Sequence, residues 1–178
     1  MLEYMLRDPT LSLPAALAAD DWRDTAVAVL VGPNRDAVAM VCSAKDPTSQ
    51  AFTFVQGGVE DLEALQAAAR REVREEIPSL ARRSEREPFR VQWNNGLYIG
   101  SASIAHTRST VPKRLHFLVF QASIWNLVPD LSECVGAFWV RDPEVFQCML
   151  EPTRQQNPCK YSAMCAAVVA AQQHGYLL

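Results

Sequence analysis

The sequence lacks the features that mark secreted, membrane-spanning and polyanion-binding proteins. Its five cysteines are odd in number and form no C-x-x-C pair, which argues against a disulfide framework or a zinc site and favours reduced thiols. The longest apolar stretch, residues 163–171, is far too short to cross a bilayer. The formal net charge is −3 with a pI of about 5.6, so the bulk composition does not favour a nucleic-acid-binding surface. We therefore expect a cytoplasmic protein without membrane association.

What the sequence does contain is the ordinary balance of a globular domain. Of its 178 residues, 49% are hydrophobic and 21% are charged, which is enough to bury one sizeable core. We expect an N-terminal arm over residues 1–24 and a single domain over residues 25–178. Short Val-rich or aromatic stretches predict strands at residues 25–32, 37–43, 52–56, 89–93, 97–104, 115–125 and 137–140.

Two stretches have the spacing of helices. Apolar residues recur at helical intervals from Leu62 to Ile77, with Asp61 as the expected N-cap. An Ala-rich helix is predicted over residues 160–174, ended by Gly175. The turn-prone residues 33–36 predict a hairpin between the first two strands. Mixed strands with a central and a C-terminal helix favour an α+β sandwich.

Three glutamates at the end of the central helix raise the first functional question. Glu72, Glu75 and Glu76 share one face because residues three and four apart are neighbours on a helix. Their mutual repulsion must be offset by a bound cation, by a guanidinium group or by exposure to water. Arg70, Arg71 and Arg74 lie among them, so a solvated charged face is one interpretation.

The spacing around these glutamates favours a more specific interpretation. It follows the pattern of a glycine, five residues, a glutamate, seven residues and then R-E-U-x-E-E-x-G-U, in which U is aliphatic. The sequence thereby resembles the Nudix hydrolase superfamily. The matching residues are Gly57, Glu63, Arg71, Glu72, Val73, Glu75 and Glu76.

The end of the pattern departs from the family. Pro78 stands where the family has glycine, and Ser79 stands where it has an aliphatic residue. Proline cannot adopt the left-handed conformation that closes a helix, and it disfavours α geometry in the residue before it. We therefore expect Ile77 to leave α geometry and the loop beyond it to be unusual. All the box carboxylates lie upstream of this change.

The resemblance implies a fold, a cofactor and a set of site residues. The fold would be a Nudix-type α/β/α sandwich with a mixed central sheet. Mg²⁺ or Mn²⁺ would be bound by Glu72, Glu75 and Glu76 with the backbone carbonyl of Gly57, since hard cations prefer oxygen ligands. Such ions stabilise charge on a leaving phosphate and acidify the attacking water. Glu63 and Arg71 would be structural and would tie the loop to the helix.

The flanking segments resemble one group within the superfamily. F-V-Q-G-G-V at residues 54–59 looks like the F-P-Q-G-G-I of bacterial RNA pyrophosphohydrolases and dinucleoside polyphosphate hydrolases, with Val55 in place of proline. E-C-V-G-A-F-W-V at residues 133–140 resembles their E-F-D-G-W-R-W-V. In that group the glutamate is an additional metal ligand or the general base, so Glu133 is the candidate here. The sequence does not decide between Glu133 and a box glutamate as the base.

Substrate phosphates require cations, and the same resemblance suggests which ones. The candidates for substrate binding are Lys45, Lys113, Arg114 and Lys160. Tyr98, Trp93 or Phe138 would be able to stack a base, although a place in the core or on the sheet surface is the alternative for each. Cys159 stands where the RNA enzymes carry an aromatic residue, which argues against tight RNA binding.

We thus expect a Mg²⁺- or Mn²⁺-dependent Nudix pyrophosphohydrolase that cleaves a nucleoside diphosphate-X substrate, and the flanking segments favour dinucleoside polyphosphates or 5′-triphosphorylated RNA ends. Its partner would be a nucleotide or dinucleotide polyphosphate, with the RNA 5′ end as a further candidate. A house-cleaning nucleoside triphosphatase or an ADP-ribose pyrophosphatase is the enzymatic alternative. A Nudix module that senses a nucleotide without cleaving it is an alternative from another class, and only Pro78 and Ser79 favour it.

Overall fold

The computed structural model describes residues 22–44, 51–81, 91–93, 96–104 and 112–178. These residues form a seven-stranded sheet and four helices. The strands are Arg23–Val31 (β1), Val38–Ser43 (β2), Phe52–Thr53 (β3), Val55–Gly58 (β4), Leu97–Ile104 (β5), Lys113–Gln121 (β6) and Cys134–Val140 (β7). The helices are Leu65–Glu76 (α1), Pro78–Ala81 (α2), Pro143–Gln156 (α3) and Pro158–Gln173 (α4). None of these helices is long and apolar enough to cross a membrane.

The sheet is mixed, and β1 lies at its centre. β1 pairs in parallel with β6, which pairs in antiparallel with β5. On its other edge β1 meets β2 at Val31 and Val38, and it pairs with β4 along residues 25–28. β2 pairs with β3 and with β7. The segment 52–58 therefore bonds first to β2 and then to β1, which places the glycines of β4 beside the start of the central strand.

Alternation along β1 creates two cores, one on each face of the sheet. Val27, Val29 and Val31 are buried together with apolar residues of α3 and α4. Ala26, Ala28 and Leu30 are buried together with apolar residues of α1. Both faces are covered by helices, which confirms the expected α/β/α sandwich with a mixed central sheet.

The hairpin and the third strand are more broken than the sequence predicts. β1 and β2 pair only at Val31 and Val38, because segment 52–58 takes up the rest of their facing edges. That segment is interrupted at Phe54, a fully buried residue whose ring stacks on Phe146 of α3 at 6.2 Å. Gly57 and Gly58, which follow the strand predicted over residues 52–56, belong to β4. Of the strand predicted over residues 89–93, the described part forms only an isolated bridge from Val91 to Ala122.

The start of α1 was wrongly predicted. The helix begins at Leu65 and not at Leu62, and Ala64 is its N-cap, without a side-chain cap. Residues 61 and 62 form a turn in which Leu62 is exposed with φ of 65°. The apolar side chain at position 62 therefore belongs to the loop, and Asp61 caps nothing at this helix.

The end of α1 follows the prediction drawn from Pro78. Ile77 has φ of −132° and ψ of 70°, which is outside α geometry, as proline requires of the residue before it. Pro78 then begins α2, a position that its fixed φ suits. Helix α3 was not predicted, since Pro143 and Pro152 obscure its apolar spacing; its buried face consists of Phe146, Leu150 and Thr153.

Candidate active site

A cavity of about 510 Å³ brings most of the candidate residues together. Its walls consist of glutamates of α1, of Glu133, which directly precedes β7, and of cationic side chains from β1, β6 and α4. The sheet supplies the floor, because β1, β2, β4 and β6 all contribute. The lining residues are Arg23, Thr25, Val41, Ser43, Thr53, Gln56, Gly57, Gly58, Glu72, Glu75, Glu76, Ile104, Lys113, Leu115, Glu133 and Lys160.

The two glycines of β4 permit close approach at one wall. Gly57 and Gly58 are paired with Ala26 and Thr25 of β1, which fixes their backbone. A Cβ at Gly57 would overlap the carboxylate of Glu72. The main chain of β4 therefore lies directly against an acidic side chain, and any residue other than glycine would displace it.

Arg71 ties the loop before α1 to the helix. Its Nε donates to Glu63 Oε1 at 3.2 Å, and its Nη2 donates to Glu63 Oε2 at 3.0 Å and to the Gly58 carbonyl at 2.8 Å. Its Nη1 pairs with Glu72 and lies 3.7 Å from Glu75. Hydrogen bonding to Arg71 lowers the pKa of Glu63. A guanidinium group thus offsets much of the repulsion in this part of the helix.

Glu76 has a different environment. Its Oε1 accepts from the Gln56 amide at 3.4 Å, and its Oε2 accepts from the Cys134 thiol at 3.3 Å. It forms no ion pair with any residue in the described ranges. Burial raises its pKa to about 7, the two hydrogen bonds oppose the rise, and Glu72 and Glu133 add to it.

Glu133 reaches the cavity from a separate segment. It stands at the end of a turn in which its amide donates to the Asp130 carbonyl at 3.0 Å. Its own carbonyl accepts from the Ala44 amide at 2.8 Å. Four glutamates from two elements therefore face the same space.

Three cations lie on the cavity wall, and the sequence analysis missed one of them. Arg23 and Lys113 are register partners on the parallel strands β1 and β6, and Lys160 lies in the first turn of α4. Burial lowers the pKa of Lys113, with Arg23 adding to the effect. Burial also lowers the pKa of Lys160 to about 8, with a further contribution from Lys113. Arg23 carries no motif of its own, and its proximity to Lys113 follows only from the pairing of two strands 90 residues apart in sequence.

The remaining candidates are placed elsewhere. Arg114 points away from the cavity, 3.9 Å from Asp24, and Tyr98 is 48% exposed with its ring 6.2 Å from that of His116. Neither residue lines the cavity, so their placement does not support a role in substrate binding there. Lys45 lies outside the described residues. Trp93 is buried against Phe120 in the core.

The sequence matches the NUDIX domain family over residues 22–141, about two thirds of the chain. The chain belongs to this family. As a Nudix hydrolase it is a pyrophosphohydrolase, an enzyme that acts on phosphoric anhydride bonds. A search of curated proteins found no match.

Solved Nudix structures share the fold at low sequence identity. The dihydroneopterin triphosphate pyrophosphohydrolase of E. coli is 15% identical with a TM-score of 0.51, covering 75% of this chain and 95% of its own. A MutT protein from Methanosarcina mazei Go1 is 13% identical with a TM-score of 0.57, and the match covers 89% of this chain and 99% of that protein. The NUDIX domain of Shewanella oneidensis NrtR, complexed with ADP ribose, is 14% identical with a TM-score of 0.53, and the match covers 86% of this chain and 96% of that domain. At these identities the likeness concerns the fold alone.

The donor set of this Nudix site suits a hard divalent cation. The four glutamates and the carbonyl of Gly57 offer oxygen ligands, and Glu76 is largely shielded from water and forms no ion pair with any described residue, although the charge of Lys160 acts on it across the cavity. In the described part of the chain, no three His, Cys, Asp or Glu side chains converge closely enough to form a ready metal site. The carboxylates thus share a cavity, and binding an ion would require them to draw together.

Proposed function

We propose that this Nudix hydrolase cleaves a nucleotide polyphosphate with Mg²⁺ or Mn²⁺ held by Glu72, Glu75, Glu76 and Glu133 and by the carbonyl of Gly57. The observation that carries the proposal is the convergence of four glutamates and the backbone of Gly57 on one cavity, in which Glu76 is buried deeply enough for its pKa to be raised to about 7. A carboxylate in such a place is stabilised in its charged form by a cation. The adjoining carboxylates on the same cavity supply further oxygen ligands.

The chain's own residues prepare the site for this chemistry. When bound, a divalent cation supplies charge neutralisation for phosphate oxygens and acidifies a water molecule. The Gln56 amide and the Cys134 thiol hold Glu76 in one orientation, and Arg71 holds Glu72. Glu133 comes from a different segment and would assist either as a further ligand or as the proton acceptor for the attacking water.

The cationic wall favours a substrate with several phosphates. Arg23 and Lys113 are like charges on directly paired positions, an arrangement that destabilises a sheet unless an anion lies between them. None of the ion pairs among the described residues involves these two residues or Lys160. An extended polyphosphate chain would bridge this wall and the glutamates opposite, with one end at the cations and the anhydride bond at the carboxylates.

Among polyphosphate substrates we place dinucleoside polyphosphates first. The segments at residues 54–59 and 133–140 support this choice by their resemblance to the dinucleoside polyphosphate and RNA pyrophosphohydrolase group. A triphosphorylated RNA 5′ end shares the phosphate chemistry, but the acidic composition and Cys159 favour it less. Free nucleoside triphosphates also carry enough phosphates to reach all three cations, whereas the two phosphates of ADP-ribose would leave part of the cationic wall unused.

The test is product release from a panel of substrates, with and without Mg²⁺ or Mn²⁺. The panel contains diadenosine polyphosphates, nucleoside triphosphates, ADP-ribose and a triphosphorylated RNA. We expect cation-dependent cleavage that is fastest with diadenosine polyphosphates, and a Lys160→Met variant that raises KM for them roughly tenfold by removing one charged contact. Direct Mn²⁺ binding, followed by electron paramagnetic resonance, should weaken in Glu76→Gln. Cleavage confined to ADP-ribose would contradict the substrate proposal, and Mn²⁺ binding unchanged by Glu76→Gln would contradict the cation site.

A further inference from the structure

The departure from the Nudix box at Ser79 places a hydroxyl where the family has an aliphatic side chain. Ser79 is buried at 8% exposure, yet its hydroxyl is fully engaged. Its Oγ accepts from the Val128 amide at 2.8 Å and donates to the Asn126 carbonyl at 3.1 Å. The side chain thus bonds to the backbone of a segment 47 to 49 residues further along the chain.

This segment, residues 126–134, ends next to the candidate active site. It includes Glu133, and it is bonded twice more to the end of α1. The Asp130 amide donates to the Glu76 carbonyl at 3.0 Å, and the Cys134 thiol donates to the Glu76 carboxylate at 3.3 Å. Ser79 binds the beginning of the segment, at Asn126 and Val128, which is the attached part furthest from Glu133 in sequence.

The 126–134 segment is internally constrained, so a shift at its beginning would also shift its end. Pro129 follows Val128 directly, which fixes one backbone torsion. Asp130 then forms a closed turn, because its carbonyl accepts from the amides of Glu133 at 3.0 Å and Cys134 at 2.8 Å. Its side chain accepts from the Ser132 amide at 2.9 Å. A displacement at Val128 would therefore move the turn as a unit, and Glu133 with it.

We propose that Ser79 is a positioning residue that holds the 126–134 segment against the end of α1 and thereby sets Glu133 at the cavity. This inference rests on the proposed role of Glu133. It explains what replaces the usual end of the box: Pro78 turns the chain into α2, and α2 presents the Ser79 hydroxyl to the segment. A catalytic group must be placed to within a fraction of roughly 1 Å, so a loosened segment would displace Glu133 enough to slow turnover without unfolding the protein.

The experiment is a double-mutant cycle between Ser79→Ala and Glu133→Gln, with kcat measured on the best substrate of the panel. Ser79→Ala should lower kcat roughly tenfold in the wild-type background and have little further effect in Glu133→Gln, because Ser79 acts through Glu133. Thr153→Val is the matched control. It removes another buried hydroxyl, which donates to the Phe52 carbonyl at 3.2 Å and does not touch the segment. Its effect on kcat should be small and the same in both backgrounds.

Amide hydrogen exchange gives a readout that does not depend on turnover. In the wild type the Val128 amide should exchange as slowly as the Asp130 amide, and in Ser79→Ala its protection should be lost while the sheet stays protected. Rapid exchange at Val128 in the wild type would overturn the inference even if Ser79→Ala failed to fold. Equal effects of Ser79→Ala on kcat in both backgrounds would also overturn it. If Glu133→Gln turned over like the wild type while Glu76→Gln did not, the role of Glu133 and this inference would both fall, and the cation site would stand.

Discussion

Glu63 and Glu76 belong to the same motif, but their surroundings are opposite. Glu63 accepts two hydrogen bonds from Arg71, which lowers its pKa. Within the described part of the chain, Glu76 accepts hydrogen bonds from one amide and one thiol, and burial raises its pKa to about 7. Glu72 lies between these extremes, against both Arg71 and the backbone of Gly57. The difference indicates how one box divides its work: Glu63 holds the frame through Arg71, Glu76 has no guanidinium partner among the described residues and is the most available to the proposed cation, and Glu72 contacts both parts.

The largest effect expected from this comparison is on turnover. Replacing Glu76 by Gln keeps the shape but removes the charge, so kcat should fall roughly 100-fold or more, which corresponds to a loss of about 3 kcal/mol of transition-state stabilisation. Steady-state kinetics at saturating Mg²⁺ measures this. The matched control is Glu63→Gln, which should retain most of kcat because Glu63 contacts only the frame. If both variants lost the same factor, the division into frame and cation site would be wrong.

The second prediction concerns stability against pH in the protein without divalent cations. Because the folded-state pKa of Glu76 lies above its unfolded value of 4.5, the folded protein binds the extra proton between pH 4.5 and about 7. Stability should therefore fall as the pH rises through this window, by up to roughly 3 kcal/mol. Chemical denaturation in EDTA at pH 5 and pH 8 measures the change. Glu76→Gln should abolish most of it, and a pH dependence that persisted in this variant would have to arise elsewhere.

The sequence predicted the placement of residues well where it depends on local spacing. Glu72, Glu75 and Glu76 line one cavity as expected, and Pro78 correctly indicated that Ile77 leaves α geometry. It failed where long-range pairing decides the outcome. Segment 52–58 is divided at Phe54 because its first part pairs with β2 and its second part pairs with β1. Leu62 lies in a turn although its spacing fits the helix. Arg23 reaches the cavity only because β1 pairs with β6.

The third prediction tests the frame. Arg71→Ala would leave Glu63, Glu72 and the Gly58 carbonyl without their shared donor. We expect the melting temperature to fall by roughly 5 °C at pH 7, in line with the loss of several charge-assisted hydrogen bonds. Since the pKa of Glu63 is lowered in the folded state, the stability gained from Arg71 is present above the unfolded pKa of Glu63 and is lost as the pH falls through the folded one. The difference in melting temperature between the wild type and Arg71→Ala should therefore become smaller in acid. This is the opposite of the pH dependence expected from Glu76, whose contribution to stability grows in acid. A gap that widened in acid would contradict this assignment.

The smallest expected effect comes from the thiol that contacts Glu76. Burial raises the pKa of Cys134, and Glu76 raises it further, so the group remains a protonated donor at neutral pH. Cys134→Ala removes that donor, which should raise the pKa of Glu76 further and increase roughly threefold the Mn²⁺ concentration needed for half-maximal binding at pH 7. Cys134→Ser keeps a donor and should stay closer to the wild type. Cys165→Ala, which changes another buried cysteine on the α4 side of the sheet, controls for lost packing. Equal Mn²⁺ affinity in the Ala and Ser variants of Cys134 would show that its hydrogen bond to Glu76 does not set the affinity.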